Sequence, residues 1–279
     1  MKKILAAAVL AAVSMVAHAY EADCSISYFN GKAPAITSAK LAQGTKALCF
    51  SQFAVMHSGI SRTPLWSAEH LTAQRVRSAR SMERNDAFHP ETKLEREERS
   101  ELKDFSRSGM DRGHIAPSGD MSTAEAQYES FSLANIVPQN PDNNRHLWAG
   151  IETAVRDLAE RRGELFVITG PLFTGGKLNQ LNGRVLVPPR LFKLVFDPRS
   201  GKGAAYLANN AEGSDYSVVS ITELEQVAGI TFFPGLPEQA KSTKLTLPSP
   251  NTRGYSARRG NQEEHVLKTI ARSIQQLIH

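Results

Sequence analysis

An acid, a guanidinium and an imidazole are packed into four residues at Asp111-Arg112-Gly113-His114, and Ala116, Pro117, Ser118 and Gly119 follow at once. That run restricts what can be built around it to a short strand feeding a loop of small residues. Such a loop holds His114 rigidly and leaves one ring edge open. The arrangement suits a general base, which must be aimed as well as basic. A lone histidine on a surface loop would ordinarily be incidental, but the residues that follow argue otherwise.

Residues 133–139 (LANIVPQ) read as a short strand leading into a helix whose first turn can accept Pro141, where a missing N–H costs little. Leu147, Trp148, Ile151, Val155 and Leu158 form one apolar stripe, and Arg161-Arg162-Gly163 supplies a cationic last turn with a glycine stop. Asn144, Trp148 and Glu152 fall at i, i+4 and i+8. At α-helical spacing Asn144 and Glu152 stand about 12 Å apart along the axis, rotated by only about 80°. A neutral amide oxygen and a carboxylate thus line one side. Taken alone, the pair reads as ordinary helix-surface polarity.

The chain begins with an address. Lys2 and Lys3 precede an apolar run over 4–16 that is too short to span a bilayer, and Ala17-His18-Ala19 makes an A-x-A cleavage site. Residues 1–19 are therefore expected to be a signal peptide, leaving about 260 residues of soluble, secreted or periplasmic protein with no membrane association. The formal net charge of +5 falls to +3 without Lys2 and Lys3 (31 basic minus 28 acidic residues), compatible with polyanions but too weak to argue for them. Cys24 and Cys49 are the two cysteines, an even pair that in an oxidising compartment reads as one disulfide. Closing that loop is worth about 3 kcal/mol in the chain-entropy model. A metal reading is poor, since no C-x2-C or H-x3-5-H spacing occurs.

Residues 20–46 read as an extended arm tied down by the disulfide, and 47–57 and 63–72 as paired strands. Between 75 and 107 lies a charged stretch with a surface helix expected over 91–103, and Ser122-x-x-Glu125 reads as a capping box. Residues 165–170 are a buried strand, 190–196 and 203–208 a hairpin, and Ser220-x-x-Glu223 caps a helix ending at Gly229. A basic loop and weak helix follow over 248–279. Strands and helices that do not alternate imply an α+β fold with a mixed, mostly antiparallel sheet. Two decoys fall away. Residues 170–178 imitate a P-loop, but Gly176 stands where Lys is required, and no G-x-S-x-G or H-E-x-x-H is present.

Asp111-Arg112-Gly113-His114, then Asn135-Ile136-Val137-Pro138-Gln139, then Asn144, Trp148 and Glu152, resembles the DNA/RNA non-specific endonuclease family. Thr169-Gly170-Pro171-Leu172 and Gly235-Leu236-Pro237 look like further landmarks, and the resemblance covers a domain at about 47–247. It implies a ββα-metal site holding one Mg²⁺, with Mn²⁺ as a substitute. His114 would be the base that activates water. Asn144 would be the direct protein ligand of the metal, and Glu152 would hold water of its shell. Arg84 would contact the phosphate with Asn135 nearby, and Arg112 and Asp111 would support the site. Arg77, Arg80 and Arg107 compete for the role given to Arg84, because the segment before the tetrad has no fixed spacing. The implied substrates are DNA and RNA, cut without sequence preference to 5′-phosphorylated products. A phosphodiesterase of small diesters and a catalytically weak exported nucleic-acid-binding module are the rival readings. The sequence leaves homodimerisation open.

Overall fold

A computed structural model describes residues 24–176 and 178–252. The expected signal peptide and the helix expected near the C-terminus lie outside the described residues. From the N-terminal side come strands β1 (Ala35–Ile36), β2 (Thr45–Cys49), β3 (Ala54–Ser58) and β4 (Thr63–Thr72), then helices α1 (Ala73–Arg80) and α2 (Leu102–Phe105). Strand β5 (Asp111–His114), helix α3 (Ala124–Ser130) and strand β6 (Ile136–Gln139) follow. A π-helical stretch at Asn143–Trp148 then runs into α4 (Ala149–Arg162). Next come β7 (Glu164–Leu172), β8 (Gln180–Leu181), β9 (Val185–Leu186), β10 (Arg190–Asp197), β11 (Lys202–Asn209) and β12 (Tyr216–Val219). Helix α5 (Ile221–Ala228), β13 (Ile230–Thr231) and α6 (Glu238–Ser242) complete the described chain.

Seven strands make one sheet in the order β12-β11-β10-β7-β4-β3-β2, and every ladder in it is antiparallel. Side chains alternate across it. Trp66, Ala68, Ile168, Phe192, Leu194 and Phe196 pack on one face beneath α5, Phe232 and Phe233. Leu71, Leu165, Val167, Leu191 and Val195 pack on the other beneath Leu147, Trp148, Ile151, Val155 and Leu158 of the long helix. Both faces of the central strands are covered, which is why they read as continuous apolar runs rather than as alternating ones. Each such Leu, Val or Phe contributes about 1.5–3 kcal/mol on burial.

The unit that carries the site is a ββα element. Strand β5 pairs antiparallel with β6, from Asp111 opposite Gln139 to His114 opposite Ile136, and the long helix follows directly. Gly113 is required there, because a Cβ at that position would lie 2.6 Å from Gln139 Cβ. The Gln139 side chain crosses the glycine and its Nε2 donates to Asn143 Oδ1 at 2.8 Å, tying strand to helix.

Several sequence expectations are corrected. The run 47–57 is two strands rather than one, because Phe50 N–H bonds Phe53 O and closes a turn between β2 and β3. No helix spans 91–103; there is only the single turn α2, capped by Glu101 and Asp104. Carbonyls of that segment serve distant side chains instead, with His57 Nε2 on Glu98 O, Arg62 Nε on Glu97 O and Lys46 Nζ on Lys93 O. Thr123, not Ser122, caps α3. The arm is tied down by the Cys24–Cys49 disulfide as expected, but it opens in short 3-10 turns at Cys24–Ser27 and Phe29–Gly31, with Phe29 edge-on against Phe166, Phe196 and Phe233. The capping box at Ser220 and Glu223 and the left-handed Gly229 stop are as expected. Among the described residues, no helix is long and apolar enough to cross a membrane.

Candidate active site

Strand β5 presents Asp111, Arg112 and His114 beside one another. The His114 ring is boxed by Phe88, with centroids 5.3 Å apart, and by the edge-on ring of Phe131 at 4.8 Å, and it is 9% exposed. Its Nε2 is buried with no hydrogen-bond partner. A buried nitrogen of that kind calls for a water or a substrate atom. Burial, then the Arg84 and Arg112 guanidinia, push the imidazole pKa down to about 3, with Asp86 opposing. The ring is therefore neutral at working pH. The cause is burial between two phenyl rings, with two cations beside the imidazole.

Asn144 lies at the head of the long helix, and its Nδ2 donates to Asp111 Oδ2 at 2.9 Å. Arg145 grips the same carboxylate with two bonds, Nε to Oδ2 at 2.9 Å and Nη2 to Oδ1 at 2.7 Å. Burial pushes the Asp111 carboxyl up, but the hydrogen bonds from Arg145 and Asn144 outweigh it and hold the group below its usual range. Because Asp111 takes the nitrogen end of the Asn144 amide, the oxygen end is left to face a cation. The π-helical stretch alters the geometry drawn from sequence. With i→i+5 bonding over Asn143–Trp148, the rotation from Asn144 to Glu152 is not that of an uninterrupted α-helix.

Glu152 is half-buried further along that helix, where burial raises its pKa against the attraction of Lys193, Arg156 and Arg84. Arg84 lies within electrostatic reach of both Glu152 and His114, stands 5.3 Å over the Phe131 ring and donates Nη1 to Ser118 Oγ at 3.2 Å. Of its rivals, Arg80 is taken up by Asp157 and Glu160 on the outer side of α4. Arg112 is exposed and lies 4.3 Å over the Phe88 ring. The structure thus gathers His114, Arg84, Arg112, Asp111, Asn144 and Glu152 around the ββα unit.

Asn135 is the exception. It is fully buried, and both ends of its amide are spent. Oδ1 accepts from Ser67 Oγ at 2.8 Å and Ala116 N at 2.9 Å, while Nδ2 donates to Ala116 O at 2.8 Å and Ser130 O at 2.9 Å. With these four bonds made, nothing on the Asn135 amide is left to contact a substrate directly. It instead splices the loop after His114 onto β4 and the end of α3.

The model of the DNA/RNA non-specific endonuclease family matches residues 31–239. The chain belongs to the DNA/RNA non-specific endonuclease family. It is 33% identical over 227 residues to the mitochondrial nuclease EXOG of Danio rerio, covering 74% of this chain and 66% of that protein. A Nostoc nuclease is 33% identical over 225 residues, 75% of this chain and 80% of the relative. The chain spans just under two thirds of the Danio rerio protein, and 58% of its Homo sapiens counterpart. The crystal structure of the EndoG/EndoGI complex matches with a TM-score of 0.62 at 26% identity, covering 72% of this chain and 92% of that one.

Members of this endonuclease family are metal-dependent nucleases. The residues present fit a hard divalent ion. No group of three or more His, Cys, Asp or Glu could hold a metal among the described residues, so an ion there must keep most of its waters. One neutral oxygen, Asn144 Oδ1, aimed by Asp111, is an adequate anchor for such an ion.

Sequence reasoning missed what lies beneath. Arg156 Nη1 pairs with the buried Asp120 at 2.8 Å, and Arg75 Nη2 with the buried Glu69 at 3.0 Å. Lys193, 1% exposed, donates to Thr169 Oγ1 at 2.8 Å on the sheet face below the helix. Two signals were available: Arg156 follows Glu152 by four helical positions, and Lys193 is the one charge inside the apolar run LFKLVF.

Proposed function

We propose that this chain is an exported, Mg²⁺-dependent endonuclease that hydrolyses DNA and RNA without sequence preference. The observation that carries the reading is a buried His114 whose Nε2 has no hydrogen-bond partner, flanked by Arg84 and Arg112. Asn144, its amide oriented by Asp111, stands on the helix of the same unit. A water oxygen attacks phosphorus as His114 accepts the proton. The P–O3′ bond breaks, the 3′ oxygen takes a proton from solvent, and the phosphate stays on the 5′ side. Arg84 and Arg112 neutralise charge that grows on the phosphoryl oxygens, where preorganised guanidinia act most strongly. A divalent ion bound at Asn144 would add charge neutralisation at the phosphate and the leaving oxygen. Contacts to phosphate rather than to base edges carry no sequence information, which accounts for the lack of preference.

Export is supported by the signal-like start of the chain and by the Cys24–Cys49 disulfide, which persists in oxidising compartments. The deciding experiment is incubation of the purified protein with plasmid and with RNA, with and without EDTA. Cutting of both polymers that EDTA abolishes is the expected result. Hydrolysis of a small diester alone, or binding without cutting, would overturn the reading. Release of active enzyme from the cytoplasm with residues 1–19 removed tests the export.

A further inference from the structure

Tyr128 is the one exposed aromatic ring among the described residues, at 54% exposure. It does not project loosely. Its ring lies 4.2 Å from that of His89 at an interplanar angle of 7°, a parallel stack. His89 is itself anchored: Nδ1 sits 2.8 Å from Ala87 O, its N–H bonds Phe131 O, and its carbonyl accepts from Leu133 N–H. With one face of the tyrosine covered by imidazole and more than half of its surface free, the opposite face is open to solvent. The stack also has a particular address. His89 is the residue after Phe88, whose ring touches His114 and carries Arg112 above it. Phe131, which follows Tyr128 by three residues, packs on His114 and lies under Arg84.

We infer that the Tyr128–His89 stack is a nucleobase platform, taking an unpaired base of the strand whose phosphate lies between Arg84 and Arg112. The inference rests on the nuclease reading above and adds a base-binding subsite to it. Any base has a π face, so a stacking platform holds a strand without reading its sequence. The backing imidazole fixes the ring's orientation, so little side-chain entropy is lost when a base docks. A duplex keeps its bases inside its own stack, and the platform therefore favours single strands and loops over paired DNA.

The test is binding in EDTA, which prevents cutting, measured by anisotropy with labelled oligothymidylate and with an abasic strand of the same length. The unaltered protein should bind oligothymidylate more tightly. Tyr128→Ala should weaken oligothymidylate by about 5- to 150-fold, the range of one base stack, and leave the abasic strand unchanged. Tyr128→Phe should keep the affinity, and His89→Ala should lose part of it. Equal weakening of both strands by Tyr128→Ala would mark a merely structural residue and overturn the platform. So would no weakening of either. If the unaltered protein cuts plasmid yet binds both strands equally, the platform is refuted and the nuclease stands. If it neither cuts nor binds either strand, the nuclease reading falls with it.

Discussion

Asn144 Nδ2 lies 2.9 Å from Asp111 Oδ2, so the strand that carries His114 also decides which way the helix amide faces. An ionised carboxylate only accepts, and it can hold only the nitrogen end of an amide. Arg145 keeps Asp111 ionised and stationary from the far side. Asp111→Ala should therefore act through the metal while leaving Asn144 in place. The Mg²⁺ concentration for half-maximal cutting should rise by about 10–100-fold, the usual cost of losing a partner that orients a ligand. Asn144→Ala should be more severe. A Mg²⁺ titration of Asp111→Ala that superimposes on the parent would refute the orientation argument.

His114 yields a prediction about pH. Its pKa is lowered from 6.5 to about 3, so the base is neutral above about 3 and becomes protonated only below that. Activity, followed as kcat/KM, should thus lack a fall through pH 6–7 that belongs to His114. The same shift lowers folding stability as pH drops from about 6.5 towards 3, since the unfolded chain binds a proton the buried ring refuses. Replacing His114 with Ala should cost about 10²–10⁴ in rate, with partial rescue by added imidazole and little change in Mg²⁺ affinity. An acid limb centred near 6.5 that vanishes in the variant would show that the ring titrates freely.

Arg84 and Arg112 are presented to solvent over aromatic rings, and Arg84 Nε pairs with the exposed Asp86 Oδ1 at 2.5 Å. Substrate binding should weaken steeply with salt, and each Arg→Ala change should lower the logarithmic salt slope by about 1. The slopes should agree for unrelated sequences. Competition experiments over a range of salt concentrations would decide it; a flat response would count against phosphate-dominated recognition.

The Cys24–Cys49 bond holds the segment that places Phe29 among Phe166, Phe196 and Phe233. The mature, unreduced protein should show no titratable thiol. Reduction should cost about 2–4 kcal/mol, with a fall in Tm of about 2–4 °C for each kcal/mol in a chain of this size. Thiol titration and a melting curve with and without reductant suffice to check both.

The sequence disclosed the ββα unit well because its parts are local: a tetrad on one strand, a Pro-started helix, a stripe ending at Arg161-Arg162-Gly163. The π-helical turn was hidden, since Asn143–Trp148 contains nothing that forbids ordinary α spacing. The stretch 91–103 misled for a different reason. Its charges look solvated, yet Glu91 is buried against Ser132 Oγ at 2.9 Å, a partner 41 positions away. Glu69 and Asp120 were illegible in the same way, and Lys193 showed only as the one charge in an apolar run. Sheet register, with Glu69 opposite Val167 and Thr169 opposite Lys193, brings Glu69 and Lys193 beneath the site, and the turn after β5 brings Asp120.

Asn135 separates a chemical role from a structural one. The resemblance placed it by the phosphate, whereas four hydrogen bonds at 2.8–2.9 Å tie it to Ser67, Ala116 and Ser130 with no exposed surface. Asn135→Ala would strand a buried N–H, two carbonyls and a hydroxyl. Each unsatisfied group costs about 1–3 kcal/mol, and a domain has only about 5–15 kcal/mol to lose. The expected outcome is a large drop in Tm, with loss of activity that follows the unfolded fraction. Near 10 °C, where stability is close to its maximum, the molecules that remain folded should bind single strands with near-normal affinity. Asn135→Asp keeps the shape but sets a buried carboxylate oxygen against the Ala116 and Ser130 carbonyls, so its Tm should fall at least as far. A variant that melts like the parent while cutting nothing would return Asn135 to the reaction itself.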